Sequence, residues 1–549
     1  MMLQWVLGVL LIVVVLFLIN NFYKKKRFKK LVSEIRKNWG NKKEDDHFNF
    51  EDISRYFRRN EHKEAAFHII SDQTSLDLDF NDVFKFIDRT SSKVGQQYLY
   101  NKIRVINTQK ELLKFHSFSK TFQENKKGRE EAQILLSALN NPEAYDLEEL
   151  INGSQIEKPK ILWLVYLLSL SAILLIVLGF IYPVLFIGLV PIFSINLVFH
   201  YKNKSDIGHY LNSINQLSKG LKISKKLIKV KMVQSYFKDL SFIKDVSSIK
   251  FSTEFIRFEK KFDSEFYFLI WVISELVKIT FNIEYVIFYS FIDSITAKKK
   301  SIEKMYLFIG EIDAAISTAS LMEDEIQQCS PKFTENKEIK TKDLIHPLIE
   351  NCVANNLTLQ DKSVLLTGSN MSGKTTFIRS VAINALIAQT LNICFAKEYT
   401  APFFKIYSTI RITDDLLKNT SYYLGEVLSV KNIIKDAKDD SPCLIVFDEL
   451  FKGTNTVERI SGGNAILSYL NKGNNIVFVS THDIELTELL EGYDLFHFSE
   501  TVEREELFFD HKLKNGKLKT RNAIKILELY NYPKEIIEEA KETERNNFS

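Results

Sequence analysis

The pattern of apolar and polar positions changes character near residue 340. Before it, long apolar or helically periodic stretches dominate; after it, short apolar runs alternate with helical ones. Residues 3–19 (LQWVLGVLLIVVVLFLI) carry one strongly polar side chain, Gln4, and run directly into NNFYKKKRFKK. That length is near the lower limit for crossing a hydrocarbon core. With no small-residue cleavage site behind it and a basic flank, the stretch reads as an uncleaved anchor with its C-terminal side in the cytoplasm. A second block, 161–199, passes without a charge and is too long for one span. The GFIYP sequence at 179–183 divides it into two helices. Lys158 and Lys160 precede the block, and Lys202 and Lys204 follow it, as a hairpin returning to the cytoplasmic side requires. The competing reading, a buried hairpin in a water-soluble core, is disfavoured by so long a charge-free run. A third stretch, 266–292, holds Glu275, Lys278 and Glu284, each costly at mid-membrane. It reads as a long helix packed against other helices near the bilayer surface.

The remaining stretches before 340 are polar and helically periodic. Apolar positions recur at three and four in VFKFIDRTSSKVGQQYLYNKI (83–103), and 203–330 is nearly free of Gly and Pro. Beyond 340 come SVLLTGS (363–369), CLIVFDEL (443–450) and NIVFVSTHD (475–483). Apolar strands without polar alternation imply a parallel sheet covered on both faces. The organisation predicted is therefore an anchor (1–23), a polar helical region (24–75), a helical core in two parts (76–160 and 201–335) separated by a membrane hairpin (161–200), an α/β domain (336–520) and a helical tail (521–549). In fold class, this is a parallel-sheet α/β P-loop domain C-terminal to an all-α core, plus transmembrane helices.

Composition changes this picture little. A net charge of +4 over 549 residues is too small to argue for nucleic acid by itself. Local runs such as 24–30 and the basic start of the second core part (219–231) matter more. The four cysteines, Cys329, Cys352, Cys394 and Cys443, form no CxxC pair, which argues against a disulfide framework or a zinc site.

Candidate chemistry sits at the ends of the three apolar runs. GSNMSGKT (368–375) fits G-x-x-x-x-G-K-[ST] and lies between a strand pattern and a helical one, the context a phosphate-binding loop needs. Gly368, Ser369, Asn370, Met371, Ser372, Gly373, Lys374, Thr375 and Thr376 are thus candidate ATP-binding residues. Their amides and the helix N-terminus face phosphate oxygens, and Lys374 reaches the β- and γ-phosphates. Thr375 and Asp448 are candidate Mg²⁺ ligands. Glu449, the second acid of LIVFDE, is suited to orient or deprotonate the attacking water. His482 ends the next apolar run, where it would sense the γ-phosphate or polarise that water. ISGGN at 460–464 imitates the signature of transporter ATPases but follows the Asp-Glu strand instead of preceding it. It reads as a helix start that needs close backbone approach.

These pieces, in this order, resemble the ATPase domain of the MutS family of DNA mismatch repair proteins. The matching runs are HP at 346–347, TGSNMSGKTTFIR, ITDDLLKNTSYYLGE, FDELFKGTNT, STHDIELTELL, HKLKNG and YPKEIIEEA, while FIDRTSSKVGQQYLYNKI resembles the start of that family's helical core. The resemblance implies ATP hydrolysis with Mg²⁺ in a homodimer, with Ser421 offered to the γ-phosphate of the partner's nucleotide. It also places Asn370 and Thr454 near the phosphates. Departures are as informative. Cys352 stands where family members often carry an aromatic residue for adenine. The anchor and about 55 residues after it stand where the family's mismatch-reading domain would lie. The expectation is a multi-pass protein of a bacterial-type inner or plasma membrane, mostly cytoplasmic, whose ATP-driven helical arms act on double-stranded DNA. A transporter- or scaffold-type membrane ATPase with no DNA role is the alternative.

Overall fold

The computed structural model describes residues 2–43, 47–60, 66–153, 158–249, 268–369, 371–411, 422–437, 441–503, 506–518 and 523–548. The chain divides into two compact units. The first gathers Met1–His62, Ile87–Asn101 and Ser117–Asp324; the second gathers Lys63–Phe86, Lys102–His116 and Glu325–Ser549.

The first unit is helical. Its helices include α1 (Met2–Lys37), α2 (Lys93–Arg104), α3 (Lys126–Leu136), α4 (Leu162–Gly179), α5 (Leu189–Leu227), α6 (Phe268–Phe281), α7 (Ile283–Ala297) and α8 (Lys299–Leu321). The apolar and basic stretches at the N-terminus are one unbroken helix, whose end is held by a two-pronged contact from Arg36 to Glu130 on α3, at 2.9 and 2.8 Å. Close packing of α2 on α8 explains two glycines. A Cβ on Gly95 would meet Asp313 Oδ2 at 2.1 Å, and one on Gly310 would meet Tyr98 Cβ at 2.5 Å. Asp313, fully buried, accepts the Ser91 amide at 2.8 Å and the Ser92 amide and hydroxyl at 2.7 and 2.5 Å, so it caps the start of α2 from the facing helix.

Among the described residues, two helices are long and apolar enough to cross a membrane, Leu162–Gly179 and Pro183–Lys202, and less than a fifth of either is buried. The turn expected at 179–183 is present, with α4 ending at Gly179. The long helix expected over 266–292 is instead two. Asn282, with φ of 46°, separates α6 from α7. The carbonyls freed at the end of α6 accept from the hairpin: Asn196 Nδ2 donates to Thr280 O at 2.6 Å, and Ser169 Oγ to Phe281 O at 2.8 Å.

The second unit is framed by two larger sheets, of six and four strands. Its strands include β1 (Glu338–Leu344), β2 (Asn355–Gln360), β3 (Ser363–Thr367), β4 (Glu398–Ala401), β5 (Lys405–Thr409), β6 (Cys443–Asp448), β7 (Ile476–Ser480), β8 (Tyr493–His497) and β9 (Lys514–Asn515). The central sheet has the order β9-β8-β3-β7-β6-β5, parallel throughout except for β9. Strands β3, β6 and β7 are buried almost end to end, as apolar runs without alternation require. Helices α9 (Lys374–Leu391), α10 (Tyr422–Asp436), α11 (Thr456–Leu470) and α12 (Lys534–Phe548) belong to this unit.

The edge strand β5 is covered from earlier in the chain. His68 Nε2 contacts Ile406 O at 2.8 Å, and Asp77 accepts Ser408 Oγ at 2.6 Å and the amides of Ile410 and Arg411 at 3.0 and 2.8 Å. An open edge is a liability, and these contacts close it. The segments 63–86 and 102–116, expected within the polar region and the helical core, thus group with the α/β unit. One reading needs correction. Ser461–Gly463 does not start a helix, because Asn455 caps α11 and a Cβ on Gly463 would meet nothing within 4 Å.

Candidate nucleotide site

The loop after β3 turns back through residues that favour glycine. Gly368 has φ of 149°, and a Cβ there would meet Phe498 O at 2.8 Å; Gly373 has φ of 111° and begins α9. Lys374, in the first turn of α9, points back into this loop. Its Nζ donates to the carbonyls of Gly368 and Ser369 at 2.7 and 2.8 Å and lies 3.4 Å from His482 Nε2. Burial lowers the pKa of this ammonium from its ordinary value. Ser372 Oγ closes the loop onto Ser369 O at 2.8 Å, and Ser369 Oγ donates to Glu500 at 2.6 Å. Met371 is exposed, with φ of 69°, and Thr376 lines the adjoining hollow.

The acids arrive from β6. Thr375 Oγ1 donates to Asp448 Oδ2 at 2.8 Å, and Ser480 at the end of β7 hydrogen-bonds the other oxygen. Glu449 follows with φ of 56°, an uncommon backbone for a non-glycine residue, fixed by its amide bonding to Ser480 O at 2.9 Å. Its carboxylate lies 3.2 Å from His482 Nε2 and 3.3 Å from Lys452 Nζ. The hydrogen bond from His482 is the largest cause holding this carboxyl at about 2, with Lys452 assisting against partial burial. Lys374, Thr375, Asp448, Glu449 and His482 therefore form one contiguous cluster. Thr454 instead donates to Glu458 at 2.6 Å near the start of α11. Asn370 and Ser421 lie outside the described residues.

A hollow of about 430 Å³ adjoins the cluster, lined by Lys374, Thr375, Thr376 and Glu449 together with Ile349, Cys352, Val353 and His511. His511 was not singled out by the sequence. Its φ is 50°, its Nδ1 sits 3.1 Å from Ser372 O, and its ring stacks on Phe509 at 19°. Asn355 pins this turn by donating to His511 O at 3.0 Å and accepting the Leu513 amide at 2.7 Å. Glu426 on α10, the glutamate of the LGE run, is buried and accepts the Phe451 amide, bracing the turn after Glu449. The available signals were a histidine beside a turn at Gly516 and a glutamate on an otherwise apolar helix face, neither of which announces its partner.

These residues fit a nucleoside triphosphate with Mg²⁺. The loop and helix start offer amides and an ammonium to phosphates, and the 349–353 segment and His511 offer apolar surface and an imidazole to a base. No group of three or more His, Cys, Asp or Glu side chains suited to a metal occurs among the described residues. A Mg²⁺ held by Thr375, Asp448, phosphate oxygens and water needs none.

Comparison with known proteins agrees with this geometry. The family model described as MutS domain V matches residues 364–547, which contain the whole cluster. Proteins named DNA mismatch repair protein MutS are similar over 272 residues: 34% identical in Listeria innocua, 33% in Listeria welshimeri and 30% in Staphylococcus aureus strain Newman. Residues 364–547 match MutS domain V. The similarity covers 47% of this chain and 31% of each of those MutS relatives, so the chain spans about a third of their length. The MutS domain V match takes in the phosphate loop, α9, Glu449, Phe498 and His511, and leaves out the part of the lining between Leu344 and Asn355.

Proposed function

We propose that this chain is a membrane-tethered MutS-type ATP hydrolase that works as a dimer and uses nucleotide-driven rearrangement of its helical unit on DNA. The observation that carries the enzymatic part is the convergence of Lys374, Thr375, Asp448, Glu449 and His482 at one sheet edge. In this reading Lys374 and the loop amides grip the β- and γ-phosphates, and Thr375 and Asp448 hold Mg²⁺, which supplies charge neutralisation when bound. Glu449, anionic and aimed by His482, orients the water. His511 and the wall through Val353 receive the adenine. By the family resemblance, Ser421 completes the partner's nucleotide site. The tether rests on the exposed apolar faces of α4 and the start of α5 together with the apolar start of α1.

One observation favours a second reading, a membrane-centred ATPase without a DNA role. His200, Glu275 and Lys278 meet in the packing of α6 on the hairpin, with His200 3.4 Å and Lys278 3.0 Å from Glu275. Buried ionisable groups in such a setting often serve a transport or relay function.

The test is steady-state ATPase of detergent-purified full chain, alone and with homoduplex, mismatched or branched DNA. Hydrolysis abolished by Lys374→Ala and stimulated by DNA supports the first reading. Stimulation by lipid alone supports the second. ATP binding that survives Lys374→Ala sinks the nucleotide site itself.

A further inference from the structure

Two of the four cysteines face each other across a backbone bridge. Cys329 N donates to Cys394 O at 2.8 Å and Cys394 N to Cys329 O at 2.9 Å, the reciprocal exchange of an antiparallel hydrogen-bonded pair. Such a pair holds its Cα atoms about 5.5 Å apart, inside the span a disulfide bridges. Cys394 is fully buried and Cys329 half-buried.

Behind Cys394 lies a hub that reaches the nucleotide hollow. Cys394 Sγ donates to Asn384 Oδ1 at 3.2 Å, and the same oxygen accepts the Phe395 amide at 2.6 Å. The Asn384 amide nitrogen donates to Ile345 O at 3.0 Å and Ser380 O at 2.9 Å. Asn384 and Ser380 are on α9, the helix that begins at Lys374, and Ser380 lines the hollow. Ile345 leads into the 349–353 wall.

We propose that Cys329 and Cys394 are a thiol-oxidation site that closes reversibly to a disulfide, and that closure weakens nucleotide binding by drawing the Cys394 sulfur away from Asn384. The coupling half rests on the nucleotide reading above. Cys329 is the attacking thiol, since it is the accessible one and contact with Cys394 lowers its pKa, whereas burial raises that of Cys394. With glutathione disulfide as oxidant, the Cys329 thiolate attacks one sulfur, and the departing glutathione thiolate takes up the proton Cys329 gave. Cys394 then loses its proton and attacks Cys329 Sγ, releasing the second glutathione as thiol. One S–S bond forms as another breaks, and two electrons pass from the cysteine pair to glutathione disulfide.

Full-length protein in detergent is equilibrated in glutathione buffers of graded ratio, acid-quenched, alkylated and mapped by peptide mass spectrometry, with ATP affinity measured on parallel samples. The expected result is a 329–394 linkage with Cys352 and Cys443 left reduced. Affinity falls by about two- to tenfold, the size of one displaced hydrogen bond. Dithiothreitol reverses both changes, and Cys329→Ser shows neither. Mixed glutathione adducts without the linkage overturn the proposal, as does a linkage that leaves affinity unchanged. If the reduced protein binds no ATP, the proposed function fails and the coupling with it, while the peptide map still decides the pairing.

Discussion

Glu449 shows how much of the chemistry depends on single side chains. Its backbone is left-handed, its amide is tied to Ser480, and its carboxylate is gripped by His482 and Lys452. Glu449→Gln keeps the shape and removes the base, so hydrolysis is expected to fall about 10²-fold or more with ATP affinity retained; turnover and equilibrium nucleotide binding check this. Because His482 is the main cause of the carboxyl's depression to about 2, His482→Ala lets that value rise toward 4.5. Protonation then reaches Glu449 at higher pH, and the acidic limb of the pH–rate profile moves upward. An unmoved limb assigns it to another group. Lys374, Thr375, Asp448, Glu449 and His482 were legible because each belongs to a linear motif that follows or ends an apolar strand. His511 was not: its contact with the loop joins residues 139 apart in the chain, and nothing local to HKLKNG encodes it.

Two elements owe their placement to a buried acid. Asp313 lies where α8 meets α2, and burial lifts its carboxyl to about 6 from 3.8 despite three hydrogen bonds from Ser91 and Ser92. The folded chain therefore holds a proton that the unfolded chain has lost, and stability falls as pH rises from about 3.8 to about 6, then levels. Asp313→Asn is expected to flatten that slope in denaturant titrations. Gly95→Ala drives a methyl into the same carboxylate and should destabilise by about 1–3 kcal/mol. In the other unit, Asp77→Ala strands the amides of Ile410 and Arg411 and the Ser408 hydroxyl, a loss of about 1–3 kcal/mol by thermal unfolding. The predicted boundary at 75/76 falls inside the helix Asp72–Asp77, and no periodicity could reveal what that helix covers, because period reports which face is apolar and not which strand receives it.

At the scale of the molecule, the sequence revealed an α/β region following helical and apolar ones, and it did so through residues such as Val364, Leu365 and Leu366, which are apolar on both faces of β3. It did not reveal that early segments fold into the C-terminal unit, since that depends on pairings such as His68 with Ile406 across 338 positions. The tether reading predicts fractionation behaviour. Full chain should resist alkaline extraction from membranes, and removal of residues 1–23 alone should leave it resistant through the hairpin. Loss of both apolar regions should release it. Release on removing 1–23 alone denies the hairpin a bilayer role.

The unbroken course of α1 from Met2 to Lys37, clamped at Arg36, has a mechanical corollary. In the tethered reading it is a stiff post: residues 21–37 stand about 25 Å tall at 1.5 Å per residue, fixing the clearance beneath the helical unit. Each residue also turns the post by about 100°, so two extra residues after Tyr23 would twist the anchor out of phase with the hairpin, whereas seven would nearly restore it. Gauge and bearing are thus written into the same helix, and a phase-dependent loss of activity in such insertions would reveal both.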